Sequence, residues 1–493
     1  MRAKIFGIVL ILLQSVVLAG GPADEVEYYA VFMGGAKVGY ATHSRIVAQG
    51  KVTTTETMAV TMNRMGTPVS ISTKETSIET SKGEPAAFVA EQDIGMGTMK
   101  TEGTIGTDGS VRVRTTGTGQ AQEVNFVWPK DAVMSEGLRL LALQKGLKEG
   151  TSYNAKIFSP GAMMAIDSNV RVGAKQEVDL LGRVVVLTKV ETTMSMPGMG
   201  QITTEGFVDD DFRAFKSVIP MAGIKLELVA CEKEFALGSN DVYEIAEKMF
   251  LASPQPIKNV RSAKSISYHL KPVSGAGGLT IPAGDNQHVQ KLEDGSVIVV
   301  VEPVSAPADG TFPYNGTDKE LLDAIRPGRF VQSDDANIIA LAKRAVGNTK
   351  DAAEAAKKIE RFVADYVKDM NLSVGYASAS EVAASRKGDC TEFAVLSAAI
   401  CRSIGIPARV VVGVVYVDNF SDKPGFAGHA WVEAYIGGKW VGLDATFKAS
   451  GRGGFDAGHI AIAAGNGEPA DFFNIATTLG RFRIEKILVN SGK

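Results

Sequence analysis

Cysteine is scarce in this chain: Cys231, Cys390 and Cys401 are the only three in 493 residues. That number rules out a disulfide-stapled scaffold. Cys390 and Cys401 fall on one expected helix, about 16 Å apart at 1.5 Å per residue and beyond disulfide reach. A bridge from Cys231 to either would cross domains, so Cys231 and Cys401 are expected as buried, unpaired thiols. No two cysteines have zinc-ligand spacing, and neither HExxH nor an EF-hand loop occurs, so no metal or other cofactor is expected. The absence of Gly-x-Ser-x-Gly sets a serine hydrolase aside. An excess of positive charge is also missing: the net charge is −3 with no long basic run, which leaves nucleic acid without an electrostatic footprint.

Long apolar runs are missing after the N-terminus. There, Arg2 and Lys4 precede Ile5 to Leu18, followed by Ala19-Gly20-Gly21. Charged, apolar and small residues in that order make a secretory signal peptide, expected over 1–21. The run is shorter than the roughly 20 residues a spanning helix needs, with an uncleaved anchor as the alternative. Gly21 stands where bacterial lipidation would need Cys. A secreted or periplasmic product without stable membrane insertion is therefore expected.

What remains has the composition of a folded protein, with 45% hydrophobic and 22% charged residues. Its length calls for two to four domains. Residues 22–238 alternate with period two between glycine turns, as in Val69-Ser70-Ile71-Ser72, Val111-Arg112-Val113-Arg114 and Ile224-Lys225-Leu226-Glu227-Leu228. This predicts a β-rich half, a sandwich or an open barrel, interrupted by one helix over Glu136–Lys145. No constellation of His, Cys and carboxylates stands out in it. Its Met-rich stretches, Met163-Met164 and Met194 to Met199, read as core filling. A helical linker is expected over 239–256. A small β-rich region with a Pro-rich connector follows over 257–328.

From 329 to 493 the pattern is α+β. Ser333-Asp334-Asp335 is placed to cap a helix running to Val346 and stopped by Gly347, and Thr349 to cap a second with an apolar stripe from Ala355 to Val367. A third helix runs from Cys390 to Ile404, apolar on most sides and so central. Val410–Val417 reads as a buried strand. His429–Ile436 and Lys439–Thr446 read as a hairpin turned at Gly437-Gly438.

Cys390, His429 and Asp444 have the residue types and order of a thiol nucleophile, its base and the base's orienter. A two-residue turn pairs Ile436 with Lys439, and this register puts His429 and Asp444 on one face as diagonal neighbours about 7–8 Å apart by backbone. Glu433 lies about 13 Å along the strand from His429, so Asp444 is the better orienter. Cys390 opens its helix after Gly388-Asp389, where backbone N–H groups and the helix dipole favour a thiolate and a developing oxyanion.

In Arg386-Lys387-Gly388-Asp389-Cys390-Thr391-Glu392-Phe393, Cys401 to Arg409, Gly428-His429-Ala430-Trp431-Val432-Glu433 and Leu443-Asp444-Ala445-Thr446, the chain resembles the bacterial branch of the transglutaminase-like (papain-like) cysteine enzymes. The resemblance covers about 333–450, extends through Phe455 to Ile460 towards the C-terminus, and does not reach the first 235 residues. Ala445 stands where members commonly have Pro. The resemblance implies a C-terminal papain-like fold with Cys390 as nucleophile, His429 as base and acid, and Asp444 as orienter. It also implies a protein or peptide amide substrate and a thioester intermediate, resolved by water or an amine. A catalytically idle peptide-binding or cell-envelope scaffold module is the alternative. His459 reads as a structural histidine near the fold's edge.

Overall fold

A computed structural model describes residues 25–491, apart from 65–66, 94–97, 118–120, 197–199, 222–223, 245–249, 274–278, 309, 371–376, 421–422, 466–477 and 479. The expected signal peptide and residues 197–199 of the Met194 to Met199 stretch lie outside the described residues, and Met194 is buried. The chain divides into two compact units, Met1–Glu244 and Ile245–Lys493.

The first unit is one fifteen-stranded sheet among its described residues. Its first strands are β1 (Val26–Met33), β2 (Ala36–Ala48), β3 (Lys51–Arg64) and β4 (Thr67–Thr80), joined as successive antiparallel hairpins. From β1 the sheet runs through β4 to Gln122–Val127 on one side, and through Ile224–Ala230 to Ala132–Val133 on the other. It is rolled. Phe158, near one end, lies with its ring centroid 5.4 Å from that of Phe88 and 4.5 Å from that of Trp128, which belong to the other half. Val111, Val113, Ala132 and Met134 complete that cluster.

The expected helix forms over Ser135–Lys145, but its N-terminal cap comes from a distant strand. The Glu79 carboxylate of β4 accepts from the backbone N–H of Glu136 at 2.6 Å and of Gly137 at 2.9 Å. Glu79 is one of several polar side chains that β4 buries: Thr73, Glu75, Ser77 and Glu79 point inward, while Ile71 and Ile78 are only half-buried. The sheet interior is therefore partly polar. One cross-strand row of that interior, Glu27, His43, Glu56 and Glu75, is buried throughout. Period-two alternation marks two faces without saying which one is inside.

The described ends of 239–256 are not helical. The Lys37 ammonium donates to the carbonyls of Gly238 (2.9 Å) and Ser239 (3.1 Å), and Asp241 accepts the Lys37 N–H at 2.8 Å. These contacts satisfy the backbone in extended form. Phe250–Ala252 is a strand paired with Gly425–Ala427.

In the second unit the strands of the middle region are not separate. Ser265–Pro272 pairs on one side with Val297–Val301, itself beside Gln287–Lys291, and on the other with the C-terminal strand Phe482–Asn490. A second sheet holds Lys423–Ile436 between Ala408–Phe420 and two short partners, Phe250–Ala252 and Lys439–Leu443; His459–Gly465 pairs the far side of Ala408–Phe420. Helix Ala336–Val346 is capped by Asp335 and stopped at Gly347. Helix Ala352–Tyr366 is capped by Asp351, which accepts from Glu354 N at 2.6 Å. Thr349, expected as that cap, instead donates its hydroxyl to Glu354. Helix Cys390–Ser403 is buried along nearly its whole length and packs against the long central strands.

Candidate active site

Cys390 occupies the first position of its helix because three neighbours fix the chain there. Asp389 is the N-cap and accepts from Thr391 N at 3.0 Å. Glu392, fully buried, reaches back to Asp389 N at 2.9 Å and holds Ala377 N at 2.8 Å, closing a capping box around the turn. Gly388 has φ +152°, and a Cβ there would lie 2.2 Å from the Glu392 Cβ. A side chain at 388 would thus push directly on the helix start. The Cys390 sulfur is half-exposed and lies 3.6 Å from Asp389 Oδ1.

His429 sits on Lys423–Ile436 opposite Gly413. The hairpin register is the expected one, with Ile436 opposite Lys439 and Val432 opposite Leu443. Asp444 departs from expectation: it stands just past the strand, as the N-cap of a short helix, Ala445–Ala449. Its Oδ1 accepts from Thr446 N at 2.9 Å and Phe447 N at 3.0 Å, contacts that turn the chain out of the strand. Its Oδ2 accepts from His429 Nε2 at 2.8 Å. Glu433 is occupied elsewhere, by Arg409 (2.8 Å) and Asn286 (2.8 Å).

With Nε2 committed to Asp444, Nδ1 of His429 is the ring nitrogen left to serve a thiol, and the Cys390 sulfur is near enough to help raise the ring. Trp431 and Phe447 flank the ring, with centroids at 6.2 and 5.0 Å.

Two further residues join the site: His459, read from sequence as structural, and Glu360, which the sequence did not single out. His459 donates from Nε2 to the same Asp444 oxygen at 3.0 Å, and its Nδ1 lies 3.0 Å from Asp456 Oδ1. It is fully buried and part of the constellation, not at an edge. Its signal was a histidine opening the apolar alternation Ile460-Ala461-Ile462, three residues after Asp456. Glu360, from helix Ala352–Tyr366, accepts the Asp444 backbone N–H at 3.0 Å, and burial raises its carboxyl. Nothing in its helical pattern marks it.

The charges interlock. Burial alone would lower both imidazoles, but Asp444, together with the Cys390 sulfur, raises His429 to about 9. Asp444 and Asp456 likewise raise His459 to about 9. Burial would raise the Asp444 carboxyl, yet the two rings hold it well below the usual carboxylate range. The donor atoms of His429, Asp444 and His459 lie within 4.8 Å of one another, a spacing that a metal could bridge. Such an ion would have to displace a proton from each of two strongly basic rings, so this donor set favours an ion-pair chain at neutral pH. A cavity of about 430 Å³ opens on the Asp444 side, lined by Glu360, Gly442, Phe455, Asp456, Lys357 and Arg452.

Residues 339–445 match the family model of the transglutaminase-like superfamily core. This region is a transglutaminase-like domain. The match spans most of helix Ala336–Val346, helix Ala352–Tyr366, the helix from Cys390, both central strands and Asp444; His459 lies beyond it. No curated protein matches the chain. Among solved structures, a "Putative Cysteine Protease" from Cytophaga hutchinsonii is similar at 21% identity and a TM-score of 0.29, over 47% of this chain and 86% of that one. A beta-barrel-like protein of a domain of unknown function from Brucella abortus is similar at 12% identity and a TM-score of 0.33, over 42% of this chain and 95% of that one. That match places residues 339–445 in a thiol-enzyme superfamily.

Proposed function

We propose that this chain is an exported thiol enzyme that cleaves or transfers protein or peptide amide groups through Cys390, His429 and Asp444. One observation carries the reading: His429 is held by Asp444 at 2.8 Å, and its ring is raised by that carboxylate and by the nearby Cys390 sulfur. In the proposed cycle the Cys390 thiolate attacks the amide carbonyl carbon. The S–C bond forms and the carbonyl π electrons move to oxygen, where the positive end of helix Cys390–Ser403 stabilises the charge. As the oxyanion collapses, the C–N bond breaks and the imidazolium of His429 gives its proton to the leaving nitrogen. A thioester on Cys390 remains. Water or an amine then adds to it, His429 takes the incoming proton, and the C–S bond breaks to return the thiolate. Asp444 holds the ring and balances its charge throughout. Export rests on Arg2, Lys4 and the apolar run Ile5–Leu18.

An acylating thiol probe tests the assignment. It is expected to label Cys390, read by peptide mass, and to lose that label in His429→Ala. No label on Cys390 in folded protein would identify the idle scaffold instead. A peptide library read by mass then separates hydrolysis from amine incorporation.

A further inference from the structure

The first unit buries an imidazole with nothing to bond. His43 on β2 is 3% exposed, and neither of its ring nitrogens has a hydrogen-bond partner. Directly opposite, Glu56 on β3 is 4% exposed and leaves Oε2 equally unbonded. The His43 Nδ1 to Glu56 Oε1 distance is 3.8 Å, too long for a hydrogen bond. Glu75 on β4 faces Glu56 in register, with its Oε1 on the Gly161 N–H at 2.9 Å. The fourth member of the row, Glu27, is engaged by Arg213 at 2.6 Å and by the Tyr29 hydroxyl at 3.2 Å, so it is not available. Orphaned polar groups at this depth cost free energy unless something fills the gap.

We propose that His43, Glu56 and Glu75 bind a divalent transition metal of the zinc type. One imidazole and two carboxylates on three adjacent strands form a borderline-hard nitrogen and oxygen donor set, which suits such an ion. The 3.8 Å separation is spanned by two metal–ligand bonds of about 2.1 Å at an open angle. A water can bridge the same two atoms, and the anomalous map below separates it from an ion. Glu75 completes the set by turning from Gly161. The ion also removes an electrostatic conflict, because burial and then the neighbouring Glu56 hold the Glu75 carboxyl up to about 8.

The test uses the full chain, stripped with chelator and titrated with zinc by calorimetry, together with anomalous diffraction at the zinc edge. The expected result is one zinc per chain and an anomalous peak between His43 and Glu56. His43→Ala and Glu56→Gln should each weaken binding by about 100-fold or more, while His459→Ala, in the second unit, should not. Failure to bind zinc, an equivalent that survives His43→Ala, or a peak at His429, Asp444 and His459 would each overturn the assignment. If the β-strand variants do not fold, the anomalous map of the unaltered chain decides alone.

Discussion

Asp444→Asn separates two tasks that one carboxylate performs. Oδ1 caps the helix Ala445–Ala449 through Thr446 and Phe447, a contribution of about 1 kcal/mol that an amide oxygen retains. Oδ2 receives both imidazoles, at 2.8 and 3.0 Å, and there the substitution puts an NH2 group against two ring donors. To relieve that clash His429 must turn Nε2 into an acceptor and carry its proton on Nδ1, the nitrogen facing Cys390. It then no longer accepts the thiol proton. In a serine protease triad the equivalent change costs on the order of 10⁴ in turnover, about 5.5 kcal/mol of barrier. A loss of that order is expected here.

The pH dependence gives an independent reading. His429 stays protonated to about 9 in the folded chain against an ordinary 6.5, so its contribution to stability is complete below 6.5 and is lost as pH rises through 9. The lowered Asp444 carboxyl contributes above its ordinary range near 3.8 and loses that contribution in stronger acid. The pair is thus at full strength between about 4 and 6.5. Asp444→Asn should cost roughly 3–6 kcal/mol in this window, for two charge-assisted hydrogen bonds, and less above pH 9. Urea unfolding across pH gives the stability term. Alkylation of Cys390 against pH, read by peptide mass, follows the ring without needing a known substrate. Turnover within tenfold of the parent in folded Asp444→Asn, or an unchanged alkylation profile, would refute the reasoning.

Cys390→Ala should abolish amide chemistry, whereas Cys401→Ala should keep it and cost about 1–2 kcal/mol of packing. Burial pushes the Cys401 thiol up to about 12, so it should alkylate more slowly than Cys390 near neutral pH, and the reverse order would misplace the nucleophile. Glu433→Gln should leave the turnover of folded protein within tenfold, because its carboxylate serves Arg409 and Asn286; a loss near that of Asp444→Asn would contradict this. His459→Gln should flatten the fall in stability between pH 6.5 and 9, since a ring raised to about 9 contributes below 6.5 and loses that contribution across this interval. In chelator-stripped protein, Glu75 stays neutral to about 8 when folded but ionises near 4.5 when unfolded, so stability should fall by roughly 1.4 kcal/mol per pH unit between those values. Glu75→Gln should remove that slope, as followed by thermal melts from pH 5 to 8.

Much of the second unit was legible because its signals are local. The helix from Cys390 shows Asp389 and Glu392 three residues apart, a capping box written in sequence. The hairpin register followed from Gly437-Gly438, whose φ values of +55° and +85° suit the two-residue turn. Counting along that register brought Asp444 near His429 but made it a strand residue. The helix cap that ends the strand was hidden, because Asp444 both closes the ladder and starts Ala445–Ala449. The pairing of Ser265–Pro272 with Phe482–Asn490 spans more than two hundred residues and left no local trace. Glu360 and His459 were missed for the same reason: each acquires its partner only when distant segments pack.

The first unit shows a different limit. Binary patterning identifies two faces of a strand and assigns the apolar one to the core. In β4 the inward face carries Ile71 together with Thr73, Glu75, Ser77 and Glu79, so an apolar residue marks the right face while most of what that face buries is polar. A rolled sheet explains how this is tolerated, because its interior receives groups from strands far apart in sequence. Glu79 finds the N–H groups of a helix start and Glu75 the N–H of Gly161, each more than fifty residues away. His43 and Glu56 find no such partner, and they are the two residues in the row whose burial the protein's own hydrogen bonds do not offset. A sequence reading that prices polar residues as solvent-facing passes over such positions. Once the register is known, the same pattern makes them the places where the fold calls for something the chain does not itself supply.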